Sequence, residues 1–335
     1  MNNMRKIGLQ LFAGNPNTNT TGSATLSGEM KTYYDTELLK FAQPNLIYRQ
    51  FAKKQPLPKG KGKTVEFRKF NSYAPATTPL TEGVTPDGQS MKVTTLSATI
   101  SQYGDYTAVS DVLETTAIDP VINECVEAHS DQAAMTLDIV CRNEIMAGNQ
   151  VFYAPKGDGT EVASRDDLDE TCVITADLVS DIAAFLKKNN APKIDGDYIA
   201  IVHPYVANDL SKDALWIDVN KYNNGGKAIY EGEIGKLKSV RFVETTNAKI
   251  WENSTKKKVF GTLFIGRGAY ADIDLEGGNL QVIVKSKGSA GTADPLDQRS
   301  TVGWKASAVS KIIQEDYIVR LETCVSRLGD TVNEN

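Results

Sequence analysis

Few side chains in this 335-residue sequence stand at spacings that could do chemistry. Asp272, Asp274 and Glu276 alternate, so on a β-strand the three carboxylates would share one face and could hold a hard cation. The plainer reading is a solvated strand face. Cys125 and His129 are four apart on a helical pattern and could form a thiol–imidazole pair. Nucleophilic catalysis also needs an orienting third group and an oxyanion site, and the sequence shows neither. His203 ends an apolar strand pattern with no Cys, His or acidic partner near it in sequence, so it reads as structural. Gly62-Lys63-Thr64 matches the end of a phosphate-binding loop, but position 57 is leucine and Thr64 opens a strand pattern rather than a helix. The acidic stretch 166–170 lacks the alternation and closing glutamate of a calcium loop. Cys125, Cys141, Cys172 and Cys324 form no CxxC pair and read as small buried thiols. No catalytic, cofactor-binding or metal constellation is complete, so the chain is read as a non-enzyme without a cofactor.

The remaining charged feature is a basic segment. Between Arg49 and Lys69 stand Arg49, Lys53, Lys54, Lys59, Lys61, Lys63, Arg68 and Lys69 against Glu66 alone. Such a patch either touches phosphate, or meets the acidic face of another copy, or is a solvated loop. The chain as a whole is acidic, with a net charge of −5, which argues against nucleic-acid binding driven by global charge. With 41% hydrophobic and 24% charged residues it has the composition of an ordinary globular protein. No run approaches the length of a membrane span. The N-terminal apolar run is broken by Gly8 and Gln10, too polar for a signal-peptide core, so a cytoplasmic product is expected.

The basic segment leads into a long hairpin over residues 63–110. Residues 64–70 run out and residues 91–110 return, joined by a turn-rich tip in which Pro86-Asp87-Gly88 has turn chemistry. Neither face of the return arm is apolar enough to define a core, and a lone two-stranded ribbon is marginal in water. About ten residues at ~3.4 Å each would carry the tip roughly 35 Å from its base. Support from a neighbouring subunit is therefore expected.

Around the hairpin, residues 1–28 are read as a flexible N-terminal arm, because the Asn/Thr/Gly/Ser-rich stretch 14–28 cannot bury enough surface to offset its ordering entropy. A helix over 29–41 follows, then a helical piece over 45–52. Residues 119–148 carry the longest helical pattern, with Asp119 as a possible N-cap, Pro120 in the first turn and Gly148-Asn149 as a stop. About 30 residues make a rod of roughly 45 Å. From Thr171 the pattern is mixed: Thr175 can cap a helix over 176–188, residues 197–202 read as a buried strand, and 204–212 as a helix. Strands are expected at 239–243, 259–265, 301–309 and 317–322, with a helical turn at 310–314. Residues 270–274 and 280–285 look like a hairpin turned at Glu276-Gly-Gly-Asn279.

This order, with Phe264-Ile-Gly-Arg-Gly-Ala-Tyr270 leading to Leu280-Gln-Val-Ile-Val284, carries a family likeness. So does Asp294-Pro-Leu-Asp-Gln-Arg-Ser-Thr-Val-Gly-Trp-Lys305 followed by Ile312-Ile313 and Tyr317-Ile-Val-Arg-Leu-Glu322. The chain resembles the major capsid proteins of tailed bacteriophages over essentially its whole length. The resemblance implies an α+β fold with an N-arm, an extended β-hairpin loop, a spine helix, and peripheral and axial domains. It implies these segments: arm 1–28, helix and basic linker 29–62, extended loop 63–110, peripheral domain 111–170 with spine helix 119–148, axial domain 171–254, return to the peripheral domain 255–309, and C-terminal segment 310–335.

The same resemblance implies a structural subunit that self-assembles into hexamers and pentamers of an icosahedral shell around double-stranded DNA. Assembly would take place in the host cytoplasm and the product would reside in the virion, with no membrane. Lys63, Phe67, Arg68, Tyr73, Pro86, Asp87 and Gly88 would make the intersubunit contact, and Arg49, Lys53, Lys54, Lys59 and Lys61 a basic contact patch. Only about 28 residues precede the first helix, so a separate scaffolding protein is expected beside a portal, with non-specific contact to DNA. No isopeptide acceptor can be matched, and crosslinking is not carried over. The alternatives are a nanocompartment shell of the same fold, or a metal-dependent enzyme built on Asp272 and Asp274.

Overall fold

The computed structural model describes residues 18–19, 47–70, 73–216, 233–276, 278, 280–327 and 332–335. In chain order, strands β1 (Thr18–Asn19) and β2 (Lys53–Lys54) precede β3 (Thr64–Phe70), β4 (Val93–Thr99) and β5 (Ser101–Ser110). Helices α1 (Asp111–Thr116) and α2 (Val121–Ile145), strand β6 (Val151–Tyr153), helix α3 (Ala176–Lys188), strand β7 (Tyr198–Val202) and helix α4 (Pro204–Leu210) follow. The rest is strand: β8 (Glu233–Leu237), β9 (Val240–Glu244), β10 (Ile250–Glu252), β11 (Lys258–Ile265), β12 (Tyr270–Asp274), β13 (Gln281–Lys285), β14 (Arg299–Ile312) and β15 (Ile318–Thr323). The helix expected over 29–41, and the N-arm apart from β1, lie outside the described residues. From Ile47 the stretch expected to be helical is turn leading into β2.

Two compact units share the chain: residues 1–43, 102–134 and 278–306 form one, and residues 44–101, 135–277 and 307–335 the other. The long elements α2 and β14 each contribute residues to both.

The second unit is built on a sheet ordered β6-β15-β11-β7-β9-β8, with β10 paired to β11. Strand β7 is buried along its whole length, as its apolar run predicts. Alternation sends Tyr198, Ala200 and Val202 to one face, where Val179, Ile182 and Leu186 of α3 and Val206 and Leu210 of α4 pack. Ile199 and Ile201 point the other way, onto Ile47, Tyr48, and Cys141 and Ile145 of α2. Helix α3 begins where the sequence predicts, with the Thr175 hydroxyl accepting from Leu178 N–H at 3.3 Å. Helix α2 starts at Val121 and ends at Ile145, three residues before Gly148.

In the first unit, β13 pairs antiparallel with Thr301–Lys305 of β14, β5 lies on the other side of β14, and β1 runs parallel to β5. The approach of β5 to β14 requires glycine on both. A Cβ on Gly104 would stand 2.6 Å from the Trp304 carbonyl oxygen, and one on Gly303 would stand 2.7 Å from Tyr106 Cβ.

Several expectations are corrected. Strands β12 and β13 do not form a hairpin, since both pair with β14, β12 through Ala308–Ile312 and β13 through Thr301–Lys305. The turn expected at Glu276-Gly-Gly-Asn279 includes Gly277 and Asn279, which lie outside the described residues. Pairing with β12 also keeps 310–312 extended, so the helical turn moves to a 3-10 turn at Glu315–Tyr317. The return arm of the long hairpin is two strands. β4 pairs with β3 in register from Thr64↔Thr99 to Phe70↔Val93, whereas β5, past Ile100, leaves the ribbon for β14.

Candidate assembly surface

The ribbon is not without a core at its base. Val65 and Phe67 on β3, with Ala98 and Ile100, pack against Leu57, Ala271, Ile273, Val309 and Ile313 of the same unit. This placement explains the alternation of half-buried Val65, Phe67 and Lys69 with exposed Glu66, Arg68 and Phe70. Lys69 Nζ also donates to Gln314 Oε1. Phe67, expected at an intersubunit contact, is thus an internal anchor. Lys63 and Arg68 stay exposed, and the Lys63 carbonyl accepts from Ile100 N–H at 2.8 Å.

Beyond the ladder, residues 73–92 are exposed throughout and form no regular element. The tight turn is at residues 81–84, not at Pro86-Asp87-Gly88. Val84 N–H donates to the Thr81 carbonyl at 3.1 Å, and Gly83 takes φ +79°. Gly83 provides the positive φ that such a turn requires, while Gly88 has no positive φ. Leu80 is 76% exposed, and Phe70, Tyr73, Val84 and Met91 are exposed with it. This row of large apolar side chains on a narrow ribbon stays open to solvent among the described residues.

The basic segment and the acidic trio, read separately in sequence, meet in space. Arg49 Nε donates to Asp272 Oδ2 at 2.8 Å, and its Nη2 lies 2.7 Å from that oxygen and 2.8 Å from Asp274 Oδ1. Lys54 Nζ reaches Asp272 Oδ2 at 2.5 Å, and Ser310 Oγ donates to Oδ1 at 3.2 Å. Asp272 is 1% exposed, so these donors are what keep a buried carboxylate satisfied. Burial alone would lower the Arg49 pKa, but Asp272 and then Asp274 outweigh it and hold the guanidinium above its usual range. Glu276 accepts from Lys59 N–H at 3.4 Å. The strand face read as solvated, with a hard cation as the lesser alternative, is therefore occupied by Arg49 and Lys54. Among the described residues no three His, Cys, Asp or Glu side chains are grouped to hold a metal ion. The side chains of Lys53, Lys59, Lys61, Lys63 and Arg68 form no ion pair among the described residues.

The other catalytic candidates resolve into packing. The two ring nitrogens of His129 lie 3.0 Å from Gln132 Oε1 and 2.9 Å from Thr107 Oγ1. His203 caps α4 by accepting from Tyr205 N–H at 3.2 Å, and its ring lies against Tyr205 and Phe260. Burial pushes its pKa down to about 4, so it is neutral at physiological pH. All four cysteines are free thiols.

A second surface escaped the sequence reading. All five residues of β13 are exposed, and with Leu280 the strand presents Val282, Ile283 and Val284 to solvent on both faces. Beside it is a cleft of ≈ 480 Å³, lined by Tyr103, Tyr106, Ile283, Trp304, Lys285 and Lys305. The signal was present as an apolar run without alternation, the pattern of a strand covered on both sides.

Among curated proteins none matches this sequence. Among solved structures, the capsid of cyanophage P-SCSP1u superimposes with a TM-score of 0.67 at 15% identity, covering 87% of this chain and 91% of that one. The cyanophage Pam1 capsid gives 0.68 at 12% identity over 88% and 96%. The capsid of Ralstonia phage GP4 gives 0.63 at 13% identity over 91% and 97%. These likenesses establish the fold, mixed helix and sheet of the tailed-phage capsid type. The family model described as phage capsid protein matches residues 93–321, more than half of the sequence. The chain belongs to the phage capsid protein family.

Proposed function

We propose that the protein is the shell subunit of a tailed-phage head, assembling into hexamers and pentamers of an icosahedral capsid that encloses double-stranded DNA. The carrying observation is the ribbon: anchored at its base by Val65 and Phe67, it presents Tyr73, Leu80, Val84 and Met91 with nothing among the described residues to cover them. In this reading the tip of one copy lies on the β13 surface of the next. Residues 73–90 carry Glu82 and Asp87 and no Lys or Arg, while the cleft beside β13 carries Lys285 and Lys305. Charge and apolar surface therefore match head to tail, and such contacts close into rings when the rotation between copies closes. Covering β13 would also hide an apolar edge strand that otherwise invites aggregation.

The two units take the peripheral and axial roles in this proposal. The exposed Lys53, Lys59, Lys61, Lys63 and Arg68 meet either carboxylates of a neighbour or DNA phosphate without base specificity. A portal and a separate scaffolding protein complete the assembly, which takes place in the host cytoplasm. Deleting residues 73–88 tests the reading: electron microscopy should show soluble subunits and no shells. Normal particles from that variant would overturn it, and particles filled with an enzyme cargo in place of DNA would reassign the shell.

A further inference from the structure

Near the C-terminal end of α2, a pocket of ≈ 300 Å³ is lined by Asn143, Met146, Arg165, Lys249, Trp251 and Arg320. Two of these side chains, Arg165 and Arg320, contact the Glu322 carboxylate, which is 0% exposed. Arg165 binds that carboxylate through two bonds, Nε to Oε2 at 2.7 Å and Nη2 to Oε1 at 2.6 Å. Arg320 Nε lies 2.8 Å from Oε1, a charge contact whose angle falls short of a hydrogen bond. Both guanidinium groups also lie over the Trp251 ring, 4.1 Å and 5.5 Å from its centroid. Neither arginine is free to swing away.

The donors exceed the acceptors. Arg165 keeps Nη1, Arg320 keeps Nη2, and Lys249 Nζ has no partner among the described residues. Asn143 uses only Oδ1, which accepts from Arg142. Glu322 is already engaged by both arginines and Glu334 acts on Lys249, so the three lining cations still leave an excess of positive charge. Arg142, 2% exposed and bound to Asn247, adds a further charge behind the wall. Burial first, then the Arg142 charge and more weakly that of Arg165, hold the Lys249 ammonium below its usual range, with Glu334 opposing them.

We propose that this pocket binds a phosphate group, either free or on a nucleic-acid backbone. Lys249 Nζ, Arg165 Nη1, Arg320 Nη2 and Asn143 Nδ2 would be the donors. The prior fixation of the arginines by Glu322 and Trp251 removes much of the ordering cost of binding. A tetrahedral oxyanion offers acceptors to donors on several walls, and a planar carboxylate fewer. The site uses none of the residues assigned to the shell contact, so it stands or falls apart from that reading.

Trp251 is its own reporter. The soluble subunit is titrated with sodium phosphate at constant ionic strength while tryptophan fluorescence is followed. Acetate and chloride serve as comparison anions, and Trp251→Phe assigns the signal against Trp216 and Trp304. The expected result is saturation with a Kd of about 1 mM or tighter, weakened about tenfold by Lys249→Ala. Competition by a short DNA duplex, also weakened by Lys249→Ala, identifies the backbone as the source; absence of competition identifies free phosphate. Phosphate binding no better than acetate, or unchanged in Lys249→Ala with a wild-type thermal transition, would overturn the proposal.

Discussion

The seven-stranded sheet and the ribbon tip are built from similar apolar residues and use them in opposite ways. In the sheet, β7 and β11 are covered on both faces, and Phe242, Phe260 and Phe264 are wholly buried. On the tip and on β13, Tyr73, Leu80, Val84, Ile283 and Val284 meet water. A buried side chain contributes to the stability of one subunit, whereas an exposed one contributes only when a second surface covers it. Stability and assembly should therefore separate cleanly on mutation.

The largest effect expected is on assembly. Replacing Leu80 and Val84 by Asp should abolish shells in electron micrographs while shifting the subunit's urea unfolding by no more than about 0.5 kcal/mol, the usual range for exposed positions. A large loss of subunit stability in that variant would break the contrast. Phe264→Ala sets the other pole: emptying a fully buried aromatic site should cost about 3–5 kcal/mol by urea unfolding.

A pH test sharpens the contrast from within the core. His203 has a folded pKa of about 4 against an unfolded value near 6.5, so the unfolded chain binds the proton more readily. Its contribution is fully present above pH 6.5 and is lost as pH falls toward 4, by up to about 3 kcal/mol. His203→Asn retains a capping side chain and should flatten that part of the stability–pH curve. Smaller again, Arg49→Ala leaves Asp272 buried with Lys54 as its one remaining cation. Because Arg49 is partly solvated, the cost expected in thermal unfolding is about 2–3 kcal/mol. Combining it with Asp272→Asn should recover part of the loss, since the double variant no longer strands a charge.

Much of the local structure was legible in the sequence. Thr175 before an amphipathic run placed α3, the Tyr198–Val202 run placed β7, and the spacing of Ile122, Val126, Ala133 and Leu137 placed α2 within a few residues. The segments of the candidate surface were legible too, as a ribbon with a turn-rich tip and a basic base. Which of its residues face outward was not. Phe67 and Arg68 are neighbours in sequence, but only packing against Ile273 and Val309 decides that one is an anchor and the other is exposed.

Side-chain periodicity, capping and turn chemistry act within a few residues, so the sequence by itself determined helices α2 and α3, strand β7 and the ribbon. Tertiary structure alone decided the partners. Arg49 and Asp272 are 223 positions apart, and nothing local says that a basic patch and an acidic strand will neutralise each other. The stretches 270–274 and 280–285 carry hairpin signals, yet β12 and β13 both pair with the long strand β14. Strand pairing and burial of charge are settled by which distant surfaces come together, because an unpaired backbone edge or an unpaired buried carboxylate costs more free energy than any local preference supplies.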